Sequence, residues 1–139
     1  MTFKKFLTKP YFQINLIFAG ILMTVFIYSG IFSAGSDNYP VPSFYTKLTG
    51  KTSVSSGLSR SFSEIIRGKF QSAKVYNPYG IGIFSFFLLQ LFLRIFILGF
   101  YPKLLKYESV VILTDSILSI LLFLLLFWPF LAVVYRSMV

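Results

Sequence analysis

The chain has 139 residues, 56% of them hydrophobic, 20% aromatic and only 12% charged, whereas ordinary soluble domains carry about 25% charged residues. A soluble fold of this length cannot hide that much apolar surface, so the composition describes a small integral membrane protein. With no Cys and no His, disulfide scaffolds, Cys/His zinc sites and Cys or His catalysis are excluded. The net charge of +9, from 13 basic against 4 acidic residues, fits basic flanks meeting anionic headgroups better than it fits nucleic acid.

Lys4, Lys5 and Lys9 precede the first apolar span, residues 11–32. About 20 residues at 1.5 Å each cross ~30 Å of hydrocarbon, and backbone groups in lipid must bond within the helix. The span exceeds the roughly 7–15 apolar residues of a signal peptide and reads as an uncleaved first helix. Gly20 and Thr24, small residues four apart, suit close helix packing. Tyr11 at its start, with Tyr101, Trp128 and Tyr135 further on, reads as an interfacial anchor.

Residues 33–77 form the only long polar stretch. Its front part, 35–42, is rich in turn residues. Leu58, Phe62, Ile65 and Ile66 then recur at helical spacing, which predicts a short amphipathic helix over about 57–68, lying on the membrane surface or against the other helices. Ser55 or Ser56 suits its start and Gly68 its end. Asn77-Pro78 suits the cap and first position of the next helix. That second span covers 78–100, and a third covers 111–135, where Pro129 predicts a kink.

The connection at 101–109 is short, so the second and third spans pair as an antiparallel hairpin. With its midpoint near Leu105, Arg94 stands level with residue 116, next to Asp115. The spacing predicts an intramembrane Arg94–Asp115 ion pair, with Gln90 one turn away on the same face. A lone charge at such depth costs roughly 2.5–3.5 kcal/mol, part of which pairing recovers. The alternative is snorkelling of Arg94 to the headgroups. The expected fold is therefore all-α: three transmembrane helices plus one interfacial helix, in a single domain over 1–139. Five Lys residues fall on the amino-terminal side and seven Lys and Arg on the other, but Lys4, Lys5 and Lys9 abut the first helix and favour a cytoplasmic amino terminus.

Arg60, Glu64 and Arg67 recur at i, i+4 and i+7. Two guanidinium groups around a carboxylate, beside the helix start at Gly57, form a candidate site for a lipid phosphate or a partner's acidic group. The bland alternative is a solvated helix face with internal pairing. Asp37, Glu64, Glu108 and Asp115 are too scattered for acid–base chemistry, so no catalytic residue, cofactor or metal is expected.

The stretch 53–77, S-V-S-S-G-L-S-R-S-F-S-E-I-I-R-G-K-F-Q-S-A-K-V-Y-N, followed by Pro78, resembles a family of small bacterial membrane proteins of unknown function. Their marker is Cys-Pro-x-x-Gly-x-Thr-Arg, then Gly-Asp, an Ala and Asn-Pro opening the next membrane helix. Gly57, Arg60, Gly68, Ala73, Asn77 and Pro78 match, and Ser59 stands where Thr is usual. Arg94 is similar to the family's arginine in the following helix, and 39–50 looks like a loop that carries another family Cys. The likeness covers under half the chain. Ser53 and Val54 replace the Cys-Pro, so any thiol role of relatives is lost here. The resemblance implies a bacterial inner membrane location and no established activity.

Three functional readings follow. The first is a non-catalytic subunit of a larger membrane assembly, docking through 53–77 onto other integral membrane proteins among membrane lipids. The second is a homo-oligomeric channel or carrier, for which Gln13, Asn15, Gln90 and Arg94 are the polar candidates. The third is a lipid-headgroup binder or enzyme using Arg60, Glu64 and Arg67.

Overall fold

A computed structural model describes residues 6–33 and 54–138. The turn-rich stretch 35–42, the piece 39–50, Lys4, Lys5, Asp37 and Ser53 lie outside the described residues. The described elements are helices: α1 (Pro10–Ile31), α2 (Leu58–Ile66), α3 (Phe70–Tyr76), α4 (Gly80–Leu104), a 3-10 turn (Leu105–Tyr107) and α5 (Glu108–Met138). Two helical stretches are long and apolar enough to cross a membrane. They are Pro10–Ile31, with a mean hydropathy of 2.0, and the 57-residue stretch Gly80–Arg136, with 2.8.

The second stretch is folded back on itself. Arg94 pairs with Asp115, Phe86 packs on Phe123, and Tyr79 packs on Phe130. In each pair the partners lie equally far from a midpoint between Leu104 and Leu105, which is the signature of antiparallel helices in a single register. The turn is tighter than a loop over 101–109. Helix α4 continues through Pro102 to Leu104, and a single 3-10 turn reverses the chain. Helix α5 starts at Glu108, three residues earlier than its apolar run, and stays helical through Pro129.

Helix α1 packs antiparallel on α4, which sits centrally between α1 and α5. One stripe of α4, comprising Ile83, Gln90, Arg94, Ile97 and Tyr101, is buried at steps of seven, four, three and four residues, the spacing of one helix face. It makes three layers. At one end, Ile97 and Tyr101 pack with Phe6 and Phe12. In the middle lie Gln90 and Arg94. At the other end, Ile83 packs with Phe62, Ile65 and Ala73 from α2 and α3.

Several expectations are corrected. The segment before α4 contains two helices where one was read. Gly68, at a positive φ of 74°, ends the first helix, and Phe70–Tyr76 forms the second, packed on the first. No serine side chain caps α2. Its N-cap is Gly57 in the left-handed region. There a Cβ would overlap the Tyr76 carbonyl, so a glycine permits the turn and the close crossing at once.

The next helix begins at Gly80, not at Pro78. Asn77 acts one step earlier, its Oδ1 accepting the Tyr79 N–H at 2.9 Å in an Asx turn. Tyr101, only 1% exposed, is a core residue rather than a surface anchor, and the half-buried Tyr11 donates its hydroxyl to Asp115. Trp128 and Tyr135 remain exposed. Gly20 and Thr24 face outward with nothing packed on Gly20, so they mediate no close helix crossing within the chain.

Candidate functional site

The middle layer is a polar cluster inside an apolar bundle. Arg94, 8% exposed, lies ten residues before Leu104, about 15 Å along the helix axis. Its guanidinium donates to Asp115 at 2.6 Å, to Asn15 Oδ1 at 2.7 Å, to Gln90 at 3.0 Å and to Ser119 at 3.1 Å. One side chain on α4 thereby ties α1 and α5 to it. Asp115, 7% exposed, also accepts from the Tyr11 hydroxyl at 2.8 Å. Asn15 is held in turn by its own Nδ2, which donates to the Tyr11 carbonyl at 2.8 Å.

The planar guanidinium suits this junction because its five N–H donors fan out in a fixed plane towards several acceptors. The cluster is nearly saturated: among its buried polar atoms, only Gln90 Nε2 lacks a partner. The structure thus brings together Arg94, Asp115 and Gln90, as the hairpin register requires. It adds Asn15, Tyr11 and Ser119. Asn15 was legible only as a polar residue in an apolar run, read as a channel-lining candidate, and Ser119 drew no reading. Tyr11 carried no such signal, since a Tyr at a span end equally suits a headgroup.

The second candidate lies where α2 and α3 cross the end of the bundle. Asn77, fully enclosed, clamps the entry to α2, its Nδ2 donating to the Val54 and Ser56 carbonyls at 2.9 and 3.0 Å. Ser61 approaches the backbone at Gly80, where any side chain would collide with it, and Ser61 Oγ is buried without a partner. Ala73 is completely buried between the two helices and α4. Gly57, Ala73 and Asn77 are therefore the positions at which this crossing leaves little freedom, whereas Gly68 is constrained only by its positive φ. Pro78 lies in the turn before α4.

Arg60, Glu64 and Arg67 do not form one binding cluster. Glu64 is only 7% exposed and belongs to neither salt bridge among the described residues, which join Lys9 to Glu108 and Arg94 to Asp115. The polar side of α2 is thus solvated only in part: Ser59, Arg60 and Arg67 are exposed, whereas Ser63 and Glu64 are buried. Arg60 lies 6.0 Å from the centre of the Tyr76 ring, towards α3.

Arg67 points the other way, to the end of α1. Its guanidinium donates to the carbonyls of Gly30 at 3.0 Å, Phe32 at 3.4 Å and Ser29 at 3.5 Å, and to the Ser63 carbonyl at 2.8 Å. Helix α1 has no basic residue in its last turn, so its unpaired carbonyls and negative dipole end receive a cation from α2. Ser63, bonded to both Arg67 and the Phe32 carbonyl, completes the joint.

Among the described residues, no group of three or more carboxylate, His or Cys side chains is placed to hold a metal ion. Glu108 is engaged by Tyr101 at 2.6 Å and by Lys9 at 3.9 Å. Comparison with known proteins finds no matching family, no matching curated protein and no matching solved structure.

Proposed function

We propose that the chain is a three-span membrane protein of the bacterial inner membrane, with its amino terminus in the cytoplasm. In this reading it acts as a non-catalytic subunit of a larger membrane assembly, docking through 53–77 onto another integral membrane protein. One observation carries it: the polar groups inside the bundle serve the bundle, whereas the α2–α3 pair leaves large apolar side chains exposed. Ile66, Phe70 and Val75 are exposed there, Val75 by 85%, among Lys69, Gln71 and Lys74. Exposed apolar side chains among charged and polar ones, on an element already fixed from behind, have the composition of a protein contact.

A channel reading finds less support. Asn15, Gln90 and Arg94 are turned into the chain's own core and bonded to each other, and Gln13 donates to the Leu7 carbonyl of its own chain. The test is native mass in a mild detergent or nanodisc with identification of bound chains. Distinct partners at fixed stoichiometry, lost on Phe70→Asp with Val75→Asp, are the expected result. A single species at a multiple of 15.9 kDa would instead favour the homo-oligomer, and a bare monomer would overturn the subunit reading.

A further inference from the structure

The outward face of α3 carries its side chains in a particular order. At about 100° per residue, Phe70, Lys74, Gln71 and Val75 follow one another around the helix at roughly 0°, 40°, 100° and 140°. All four are exposed, Phe70 by 53% and Val75 by 85%. Ala73, which seats α3 against α2 and α4, lies on the other side at roughly 300°. The cation and the amide thus stand between the two apolar side chains, not opposite them.

That order distinguishes two kinds of surface. A helix resting in a lipid interface keeps its charges on the face opposite its apolar residues, so that each meets its own medium. Here a lipid tail reaching both Phe70 and Val75 would lie across Lys74 and Gln71 as well. A protein contact makes no such demand, because a partner can set a polar group between two apolar ones.

Charge then fixes the sign of that group. Between Val54 and Asn77 the chain has four basic residues and one acidic residue, Glu64, which is buried. Arg67 is committed to the end of α1, and Arg60 lies towards the Tyr76 ring. Lys69 and Lys74 are left at the surface, and neither joins an ion pair among the described residues. Two ammonium groups flanked by exposed apolar side chains are complementary to a carboxylate that arrives with apolar neighbours of its own.

We propose that the docking partner is acidic at this contact: an integral membrane protein sets an Asp or Glu carboxylate against Lys74 and Lys69 while its apolar side chains cover Phe70 and Val75. The inference rests on the docking reading and names the chemistry of its partner. Only residues 77–79 separate α3 from α4, so in that reading the contact lies beside the end of a membrane-spanning helix, at headgroup depth.

The test uses the full chain in its native membranes, treated with a water-soluble carbodiimide and then extracted in mild detergent. The reagent joins a Lys amine to a carboxylate as an amide and leaves no spacer, and linked peptides are identified by mass spectrometry. The expected product joins Lys74 or Lys69 to an Asp or Glu of another membrane protein. Lys69→Glu with Lys74→Glu should lower recovery of that partner at least about tenfold, because like charges then face each other. Lys69→Arg with Lys74→Arg should keep the partner and abolish the link, since a guanidinium keeps the charge but does not couple.

The wild-type link decides the question even if the double Glu variant folds poorly. Undiminished recovery of the partner with Lys69→Glu and Lys74→Glu overturns the acidic contact and leaves the docking reading standing. So does a wild-type partner that is recovered but never linked through either lysine. A wild-type chain that brings down no other protein refutes docking and this inference together. Loss of bound phosphatidylglycerol, and of nothing else, in the double Glu variant assigns the surface to lipid and overturns the inference.

Discussion

Replacing Arg94 by Leu is the most informative perturbation. The guanidinium contacts four side chains between 2.6 and 3.1 Å at a site almost closed to solvent. Its loss leaves the Asp115 carboxylate buried with only the Tyr11 hydroxyl at 2.8 Å and Ser119 at 3.4 Å. Removing one partner of a buried ion pair costs about 3–5 kcal/mol, chiefly because the other charge stays desolvated and uncompensated. Asp115→Leu alone should cost a similar amount, since it strands the guanidinium.

The double variant Arg94→Leu with Asp115→Leu removes both charges. What remains is a few unpaired neutral groups, Asn15 Oδ1 and the Tyr11 hydroxyl among them, worth about 1–3 kcal/mol each. The double variant should therefore cost less than the sum of the two single ones, with a coupling of at least ~2 kcal/mol, or roughly thirtyfold in the folding equilibrium. Reversible denaturant unfolding in micelles measures this directly, with accumulation in the membrane as a second readout. A double variant as destabilised as the sum of the singles would refute the reasoning. It would mean that the two residues act separately, each reaching the headgroups on its own.

Other outcomes follow from the same geometry. Gly57→Ala should destabilise by about 2–3 kcal/mol, because a positive φ and an occupied Cβ position coincide there. Gly68→Ala, with positive φ but open space, should cost only about 1 kcal/mol, and Gly20→Ala should be neutral or stabilise by about 0.5 kcal/mol; a different order in thermal unfolding would contradict the crossing. Arg67→Met should cost about 1–2 kcal/mol and raise amide hydrogen exchange at the end of α1, near residues 29–33, more than in α4. Tyr101→Phe should cost about 1 kcal/mol by removing the bond to Glu108. In this cysteine-free chain, Cys placed at Phe86 and Phe123, whose rings lie 5.9 Å apart, should be joined by a short bifunctional thiol reagent. A single straight helix would hold those positions about 55 Å apart and give no link within the chain.

Much of the architecture is written in local chemistry. The apolar runs around α1, α4 and α5 are read from length and hydropathy, because a helix is the only way such segments satisfy their own backbone in lipid. The Arg94–Asp115 contact was also legible. A short connection leaves two antiparallel helices little choice of register, and a charge buried in an apolar face needs an opposite charge at its level. Gly57, Gly68 and Asn77-Pro78 announced turns for conformational reasons that belong to those residues alone.

Tertiary packing decided what periodicity leaves open. An amphipathic pattern over 57–68 says that one side of α2 is apolar, but not that Ser63 and Glu64 on its polar side are also covered. Arg60, Glu64 and Arg67 share that side in sequence, yet one meets Tyr76, one is buried, and one reaches the end of α1. Helix α3 is short, with only Ala73 buried, and its signal in the chain is too weak to read without α2 and α4 around it. Tyr11 and Asn15 became partners of Asp115 and Arg94 only once α1 lay against α4. Local sequence sets which backbone shapes are cheap and which groups demand partners; which partners they meet depends on how whole helices pack, and that is a property of the assembled fold.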